Sequence, residues 1–326
     1  MYVADSLNDT MSRFIKDWEP VLGFDINLTC KGSNALVKDI TSGAKADVLL
    51  SADYTIIDDP LITGGYAKWN AEFARNSVVI AYRKNSTGSG KISADNWYEV
   101  LNQSDMRFGF GDPNLDPCGY RSVMVFALAG DYYKVPSIFN DLIGENTYIS
   151  TKETYDDGVN GYNISSPSTP DIDGSRVEID FHAADSLDAL INEEIEYAFV
   201  YKNQAETAKY SSSGDIDYVD LPDKLSLNNT KYEDEYKHII LFQFSDNESA
   251  RKTMVLTPIV YGLTQLANTT NSDYAAEFLD AFCAMTRNED PLDPFAYLRY
   301  MDKIVPLVPS VGTNWDDVPV WMRRFM

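Results

Sequence analysis

Histidine, cysteine and positive charge are all scarce in this chain of 326 residues, and each shortage excludes something. The two histidines are His182 and His238. A Ser-His-Asp triad would have to use His182, with Asp180 or Asp185, yet no Gly-X-Ser-X-Gly elbow accompanies it. His238 opens an apolar run and reads as structural. Three cysteines, Cys30, Cys118 and Cys283, make no CxxC motif and no paired spacing. That argues against a disulfide framework or a structural zinc site, and leaves open the single pair Cys30 with Cys283. Lys and Arg number 27 against 50 Asp and Glu, a net charge of −23. Such a balance argues against nucleic acid and anionic membrane as partners, and suits a solvated surface. Apolar runs stay far below the roughly 18 residues of a membrane span. Neither a P-loop nor Gly-X-Gly-X-X-Gly occurs, and metal-ligand spacing is missing.

What is present is an α/β pattern long enough for two domains. The first residues, Met1-Tyr2-Val3, read straight into a strand with no secretory leader. Two expectations follow: a cytoplasmic protein, or an exported one whose leader has been removed. Eight Asn-X-Ser/Thr sequons, at Asn8, Asn27, Asn85, Asn102, Asn163, Asn228, Asn247 and Asn268, favour export. Chance would give roughly half that number; polar loop composition is the competing account.

The pattern opens βαβαβ. A strand at 2–4 runs into a helix opened by Asp5-Ser6-Leu7, with Asp5 or Ser6 as its cap. A strand at 24–30 leads through Lys31-Gly32-Ser33 into a second helix, and Ala46 to Ser51 is a third strand. Serines at two successive helix starts sit where free backbone N–H groups and the positive helix end favour an anion. Plain capping is the alternative for each. Further along, strands are expected at 76–83, 106–110, 177–181, 196–201, 238–244 and 258–263. Helices are expected at 93–101, 122–133, 185–192 and 274–285. The polar stretch 152–175 reads as a surface excursion, and the aromatic, proline-rich tail beyond Asn288 as packing on the body. The loop from Gly109 to Ser122 stands out. It carries Asp112, Asp116, Cys118 and Arg121 between two Asp-Pro turns, at the carboxyl end of a strand, where open α/β sheets usually take ligands.

Several runs resemble the archaeal tungstate/molybdate-binding proteins of ABC importers (the WtpA/ModA family). They are Ala46-Asp47-Val48 with Ala52 to Ile57, Asn76 to Tyr82, Asp95 to Leu101, Asp116-Pro-Cys-Gly-Tyr-Arg-Ser122, Tyr197 to Lys202 and Pro258 to Gly262. They fall in order across about residues 1 to 285, and the Asp-Pro-Cys-Gly-Tyr-Arg run is the most specific. The resemblance implies an α/β, two-lobed periplasmic-binding-protein fold of type II. Each lobe would be a mixed sheet flanked by helices, with the oxyanion in the interlobe cleft. Strand ends at Tyr82-Arg83-Lys84 and Tyr201-Lys202-Asn203 read as the crossings, giving residues 1–83 with 203–326 as one lobe and 84–202 as the other.

Carried over residue by residue, the resemblance implies an oxyanion site of Asp5, Ser6, Ser33, Asp116, Pro117, Cys118 and Tyr201, built of hydroxyls, backbone N–H groups and carboxylates. Two positions depart from the family. Asp5 stands where the family has Gly, and Ala183 where it has a Glu that approaches the metal centre; Asp185 and His182 are close by. The departures suggest an exchange in which Asp116 and Asp5 are the carboxylates facing tungsten or molybdenum. The expected function is capture of tungstate or molybdate in the extracellular or periplasm-like space, and delivery to an ABC permease. The protein would be a monomer without cofactor or turnover, anchored through a segment outside this chain. Another anion or a small organic acid in the same fold, or a hydrolase using His182, are the alternatives.

Overall fold

The computed structural model describes residues 1–156, 158–285, 303–310 and 312–325. The chain packs into two compact units, Met1–Asn76 with Ile259–Met326, and Ser77–Pro258. In chain order the first unit opens with β1 (Tyr2–Ala4), α1 (Asn8–Leu22), β2 (Thr29–Lys31), α2 (Ser33–Thr41), β3 (Val48–Ser51) and β4 (Ala71–Arg75). The second holds β5 (Val78–Arg83), α3 (Trp97–Leu101), β6 (Phe108–Gly111), α4 (Pro117–Tyr133), β7 (Ser150–Asp156) and β8 (Val159–Ser165). It continues with β9 (Val177–Asp180), α5 (Ala183–Ile191), β10 (Tyr197–Tyr201), α6 (Lys202–Ser211), β11 (Ile216–Asp220), α7 (Glu233–Tyr236), β12 (Ile239–Gln243) and β13 (Lys252–Val255). The chain returns to the first unit with β14 (Val260–Gln265), α8 (Ser272–Met285), β15 (Lys303–Pro309) and α9 (Val320–Arg323).

The first unit is built on one sheet of order β15-β4-β14-β3-β1-β2. There β1 is parallel to both β2 and β3, and β14 is antiparallel to β3 and β4. Every residue of β3 is buried, as expected of a strand covered on both faces. In α1 the spacing Met11, Phe14, Ile15 puts one stripe inward, and Gly23 ends the helix with a left-handed φ of 78°. The described part of the tail does pack on this unit. Thr313 Oγ1 accepts from the Asn70 N–H at 2.7 Å, and Val318, Met322 and Phe325 are buried. Residues 286–302 lie outside the described residues.

The second unit carries two sheets, β11-β5-β10-β6-β9 and β13-β12-β8-β7. In the larger, β6 is parallel to both β9 and β10. Its core is aromatic: Phe126 of α4 packs on Trp97 at 5.5 Å and on Phe199 at 4.7 Å between ring centroids. From Pro117 to Gly130, α4 is buried without a break, so it is a central helix rather than an amphipathic cover.

The structure corrects several boundaries. Ser150–Asp156 and Val159–Ser165 pair as the antiparallel strands β7 and β8 where a surface excursion was expected, with seven residue pairs in register from Ser150↔Ser165 to Asp156↔Val159. The strand expected from Phe24 shrinks to Thr29–Lys31. The helix after the Asp-Pro loop begins at Pro117, five positions before Ser122. The strand ends Tyr82-Arg83-Lys84 and Tyr201-Lys202-Asn203 both lie inside the second unit, where β5 and β10 pair along their length. None of Cys30, Cys118 and Cys283 is in a disulfide, so the open Cys30–Cys283 pairing is not made.

Candidate functional site

Each unit gathers polar groups at the carboxyl ends of its parallel strands. In the first unit, β1 runs directly into a 3-10 turn, Asp5–Leu7. Neither Asp5 nor Ser6 takes a cap position: Ala4 caps the turn and Leu7 caps α1, with no side-chain cap bond in either case. The Ser6 hydroxyl instead lies 2.8 Å from the Tyr261 hydroxyl, and the Asn76 side-chain amide donates to that same Tyr261 Oη at 2.9 Å. At the end of β2, Gly32 is the cap of α2 and Ser33 its first residue. The buried Ser33 Oγ accepts from the Ala52 N–H at 3.0 Å, tying the exit of β3 to the start of α2. Simple capping therefore does not account for Ser6 or Ser33. With the Ala52 N–H as donor to Ser33 Oγ, the serine proton remains to be given to a further acceptor.

In the second unit, β9, β6 and β10 end side by side. The loop after β6 is the Asp-Pro loop. Asp116 is the N-cap of α4, its Oδ2 accepting from the Gly119 N–H at 2.7 Å, and Pro117 stands at the first helical position. Asp116 Oδ1 lies 4.0 Å from His182 Nδ1. Two glycines make this approach feasible. A Cβ at Gly111 would stand 2.4 Å from Asp116 Oδ2 and 2.8 Å from the Ala183 N, and one at Gly119 would stand 2.0 Å from the Gly111 O. The Asp116 carboxylate and the backbone N–H at the start of α5 thus meet over a residue with no side chain. The loop is pinned from behind: Gln243 Nε2 donates to the Pro113 O at 2.7 Å, Asn114 Nδ2 to the Pro167 O at 2.8 Å, and the Phe244 N–H to Asn114 Oδ1 at 2.9 Å. At the end of β10, Tyr201 is 2% exposed and its hydroxyl accepts from Arg121 Nη1 at 2.6 Å.

Burial sets the electrostatics. It raises the pKa of Asp112 and of Asp180, against donation from the Asn114 N–H and from Ser186 respectively. Burial also pushes the Cys118 thiol well up, so Cys118 is a neutral packing group rather than a thiolate. Pro117 has no N–H to donate, and the buried Cys118 thiol is not ionised. The Ala183 methyl is buried at the first position of α5. Asp185, a candidate to replace the missing Glu, has its carboxylate occupied as a cap, accepting from the His182 N–H at 2.8 Å. Among the described residues no group of three or more His, Cys, Asp or Glu is placed to hold a metal ion. Sequence reasoning left Tyr261, Asn76, Gly111 and Gly119 unassigned, and gave Arg121 no role. A glycine two residues after another in a buried strand, Gly109-Phe110-Gly111, was the available signal for close approach.

The chain's relatives can now be set beside this geometry. A family described as bacterial extracellular solute-binding proteins matches residues 1–282. The chain belongs to that family. A protein named molybdate/tungstate-binding protein WtpA, from Pyrococcus abyssi, is 35% identical over 273 residues, 82% of this chain and 74% of its own length. A solute-binding protein of Methanococcus maripaludis is 35% identical over 256 residues, 78% of this chain and 73% of that one. Among solved structures, the Azotobacter vinelandii periplasmic molybdate-binding protein superposes with a TM-score of 0.56 at 13% identity, over 94% of this chain and 98% of that chain. At that identity the likeness speaks to the fold. Solute-binding proteins of this family are not enzymes, so the hydrolase alternative built on His182 falls, and an oxyanion in such a protein is cargo rather than a cofactor. The family works in the extracellular or periplasmic space.

Proposed function

We propose that this solute-binding protein captures tungstate or molybdate and passes it to the permease of an ABC importer. One observation carries the reading: both clusters are made of N–H and O–H donors, yet a carboxylate, Asp116, stands among those of the second unit beside the start of α5. A carboxylate only repels sulfate, whose sulfur has no open coordination position. Tungsten and molybdenum can accept it as an additional ligand, so the same group discriminates between the anions. The relatives named for molybdate and tungstate support this assignment. So does the match between the Asp116-Pro-Cys-Gly-Tyr-Arg121 run and the start of α4.

Calorimetry with tungstate, molybdate, sulfate and phosphate tests it. Tungstate or molybdate should bind at least about a hundredfold more tightly than sulfate, a difference of roughly 2.7 kcal/mol. Sulfate binding as tightly as tungstate would overturn the reading. Export is part of the proposal, because the sequons at Asn8, Asn27, Asn85, Asn102, Asn247 and Asn268 are exposed. The second reading, another anion or a small organic acid, draws on the Asp5 and Ala183 departures. Heat from such a ligand, and none from the two metal oxyanions, would select it.

A further inference from the structure

The asparagines of the eight sequons are not in equal circumstances. The fold engages five of them. Asn8 Oδ1 accepts from the Ser12 hydroxyl at 3.3 Å and from Cys30 Sγ at 3.1 Å, and Thr10, which completes that sequon, is buried. Asn102 Oδ1 accepts from Arg176 Nη2 at 3.2 Å. Asn163 lies inside β8, with β7 paired on one side and β12 on the other. Asn228 Nδ2 donates to the Ser77 hydroxyl at 2.9 Å, and Asn247 Oδ1 accepts from the Ser249 N–H at 3.2 Å. The other three, Asn27, Asn85 and Asn268, are exposed and lie in loops or turns. Among the described residues their side-chain amides have no hydrogen-bond partner. Thr87 and Thr270, which complete the second and third of these sequons, are exposed, and Thr29, which completes the first, is half-buried.

These three also share a place in their sheets. In the first unit Asn27 leads into β2, at the end opposite Gly32 and Ser33. Asn268 follows β14, whose antiparallel pairing sets Gln265 against Val48, the first residue of β3. The Leu266 N–H donates to the Asp47 O at 2.9 Å, which holds that turn at the start of β3. In the second unit Asn85 follows β5, whose antiparallel pairing sets Tyr82 against Tyr197, the first residue of β10. The Tyr197 hydroxyl donates to the Thr87 O at 2.6 Å. Each of the three therefore stands at the amino end of a parallel strand, whereas the candidate ligand groups stand at the carboxyl ends. With three residues in β2 and five in β10, those ends are separated by about 10–17 Å along the strands. By contrast Asn8 directly follows the Asp5–Leu7 turn, and Asn228 is bonded to Ser77, whose O accepts from the Lys202 N–H at 2.9 Å beside Tyr201. Two of the three open on room for a sugar. Asn27 lines a surface pocket of 350 Å³ with Phe24 and Tyr274, and Asn85 one of 500 Å³ with Ile191 and Glu193.

We propose that Asn27, Asn85 and Asn268 carry N-linked oligosaccharides, so that each unit is glycosylated at the end of its sheet away from its candidate ligand groups. The side-chain nitrogen of Asn attacks the anomeric carbon of a lipid-phosphate-linked oligosaccharide. The N–C bond forms as the C–O bond to phosphate breaks, the amide gives up one proton, and the lipid phosphate leaves with the electron pair. The modification rests on the export proposed above and does not depend on which anion is bound.

The test is peptide mapping by mass spectrometry of the full chain recovered from its native host, with cell-surface and cytoplasmic fractions kept apart. The triple variant Asn27→Gln, Asn85→Gln, Asn268→Gln is prepared in the same way. In the surface fraction, peptides holding Asn27, Asn85 and Asn268 should carry saccharide masses, and those holding the other five asparagines should be bare. The triple variant should lose the additions and bind sodium tungstate within about twofold of the natural chain in calorimetry. Surface-fraction protein bare at all three positions overturns the proposal and leaves export and oxyanion binding standing. Saccharide on Asn8, Asn163 or Asn228 with the three positions bare overturns it as well. A loss of about tenfold or more in tungstate affinity by the folded triple variant would refute the placement away from the ligand groups. A chain found only in the cytoplasmic fraction refutes export and glycosylation together. A glycosylated chain that binds neither tungstate nor molybdate supports the modification and refutes the ligand assignment alone.

Discussion

Asp116 caps α4 and, in the proposed function, also meets the metal oxyanion; two substitutions separate these roles. Its Oδ2 caps α4 through the Gly119 N–H at 2.7 Å. An N-cap Asp replaced by Ala costs about 1 kcal/mol, whereas Asn caps as well as Asp. For a domain of this size 1 kcal/mol moves the melting temperature by about 2–4 °C. Asp116→Ala should therefore lower the melting point by that amount, and Asp116→Asn should leave it nearly unchanged. Binding should behave differently. Both variants remove the charged carboxylate, and if it coordinates tungsten both should lose about a hundredfold or more in tungstate affinity, roughly 2.7 kcal/mol. Sulfate affinity should hold or rise, since a repelling charge has gone. Calorimetry alongside differential scanning measures both quantities on one preparation. An Asp116→Asn variant that melts normally and binds tungstate within about threefold of the natural chain would refute coordination by Asp116 and leave it a cap.

Other expectations are as direct. Gly119→Ala would drive a Cβ to 2.0 Å from the Gly111 O and 2.5 Å from the Gly111 C, both backbone atoms that cannot yield cheaply; urea denaturation should show a loss of about 3 kcal/mol or no folded protein, and an unchanged midpoint would contradict the packing described. Gln243→Met should cost only about 1–2 kcal/mol in thermal denaturation although it breaks the bond to the Pro113 O, because the buried Gln243 Oε1 has no partner and its removal offsets part of the loss. Burial raises the pKa of Asp180 above 3.8, so the stability it contributes is full below that value and lost as pH rises through the higher folded value; Asp180→Asn should gain in melting temperature relative to the natural chain between about pH 3 and pH 7, and a constant difference would refute the sign. Asp5→Gly should weaken tungstate binding if Asp5 supplies a carboxylate to the metal, with Ala183→Glu restoring it; tighter binding by the single variant would show that Asp5 only repels.

Where the sequence was legible, a local signal decided the outcome. Asp116 followed by Pro117 announces a cap and a first helical position, and the apolar runs at β3 and β10 announce strands covered on both faces. Errors arose where the deciding partner is distant. The β7–β8 pair reads as loop because β7 is mostly exposed and polar; the strand that completes its sheet, β12, begins at Ile239. Lys31-Gly32-Ser33 shows a helix start, but the Ser33 hydroxyl is taken by the Ala52 N–H, 19 residues on, and no capping rule anticipates that. Tyr261 is 255 residues from Ser6, and Arg121 is 80 from Tyr201, so both contacts exist only once the sheets have formed. Candidate residues that begin an element are legible in sequence, whereas the distant residues that contact them are not.

A net charge of −23 and the proposed anionic ligand are compatible because carboxylates near the strand ends are occupied locally. Asp112 accepts from the Asn114 N–H at 2.7 Å, Asp180 from the Ser186 hydroxyl at 2.7 Å, and Asp185 from the His182 N–H at 2.8 Å. In the first unit Asp53 accepts from both the N–H and the hydroxyl of Thr55, at 2.9 and 2.7 Å. Each of these carboxylates faces donors of its own loop. The remaining surface charge is solvated and screened beyond about 8 Å at physiological salt. In the proposed function an oxyanion would meet helix starts, serines and tyrosine hydroxyls at hydrogen-bond range, whose partial charges act at about 3 Å where screening is weakest. Affinity should therefore fall only modestly with added sodium chloride. A steep salt dependence would mean that long-range charge, and not this local set of donors, governs capture.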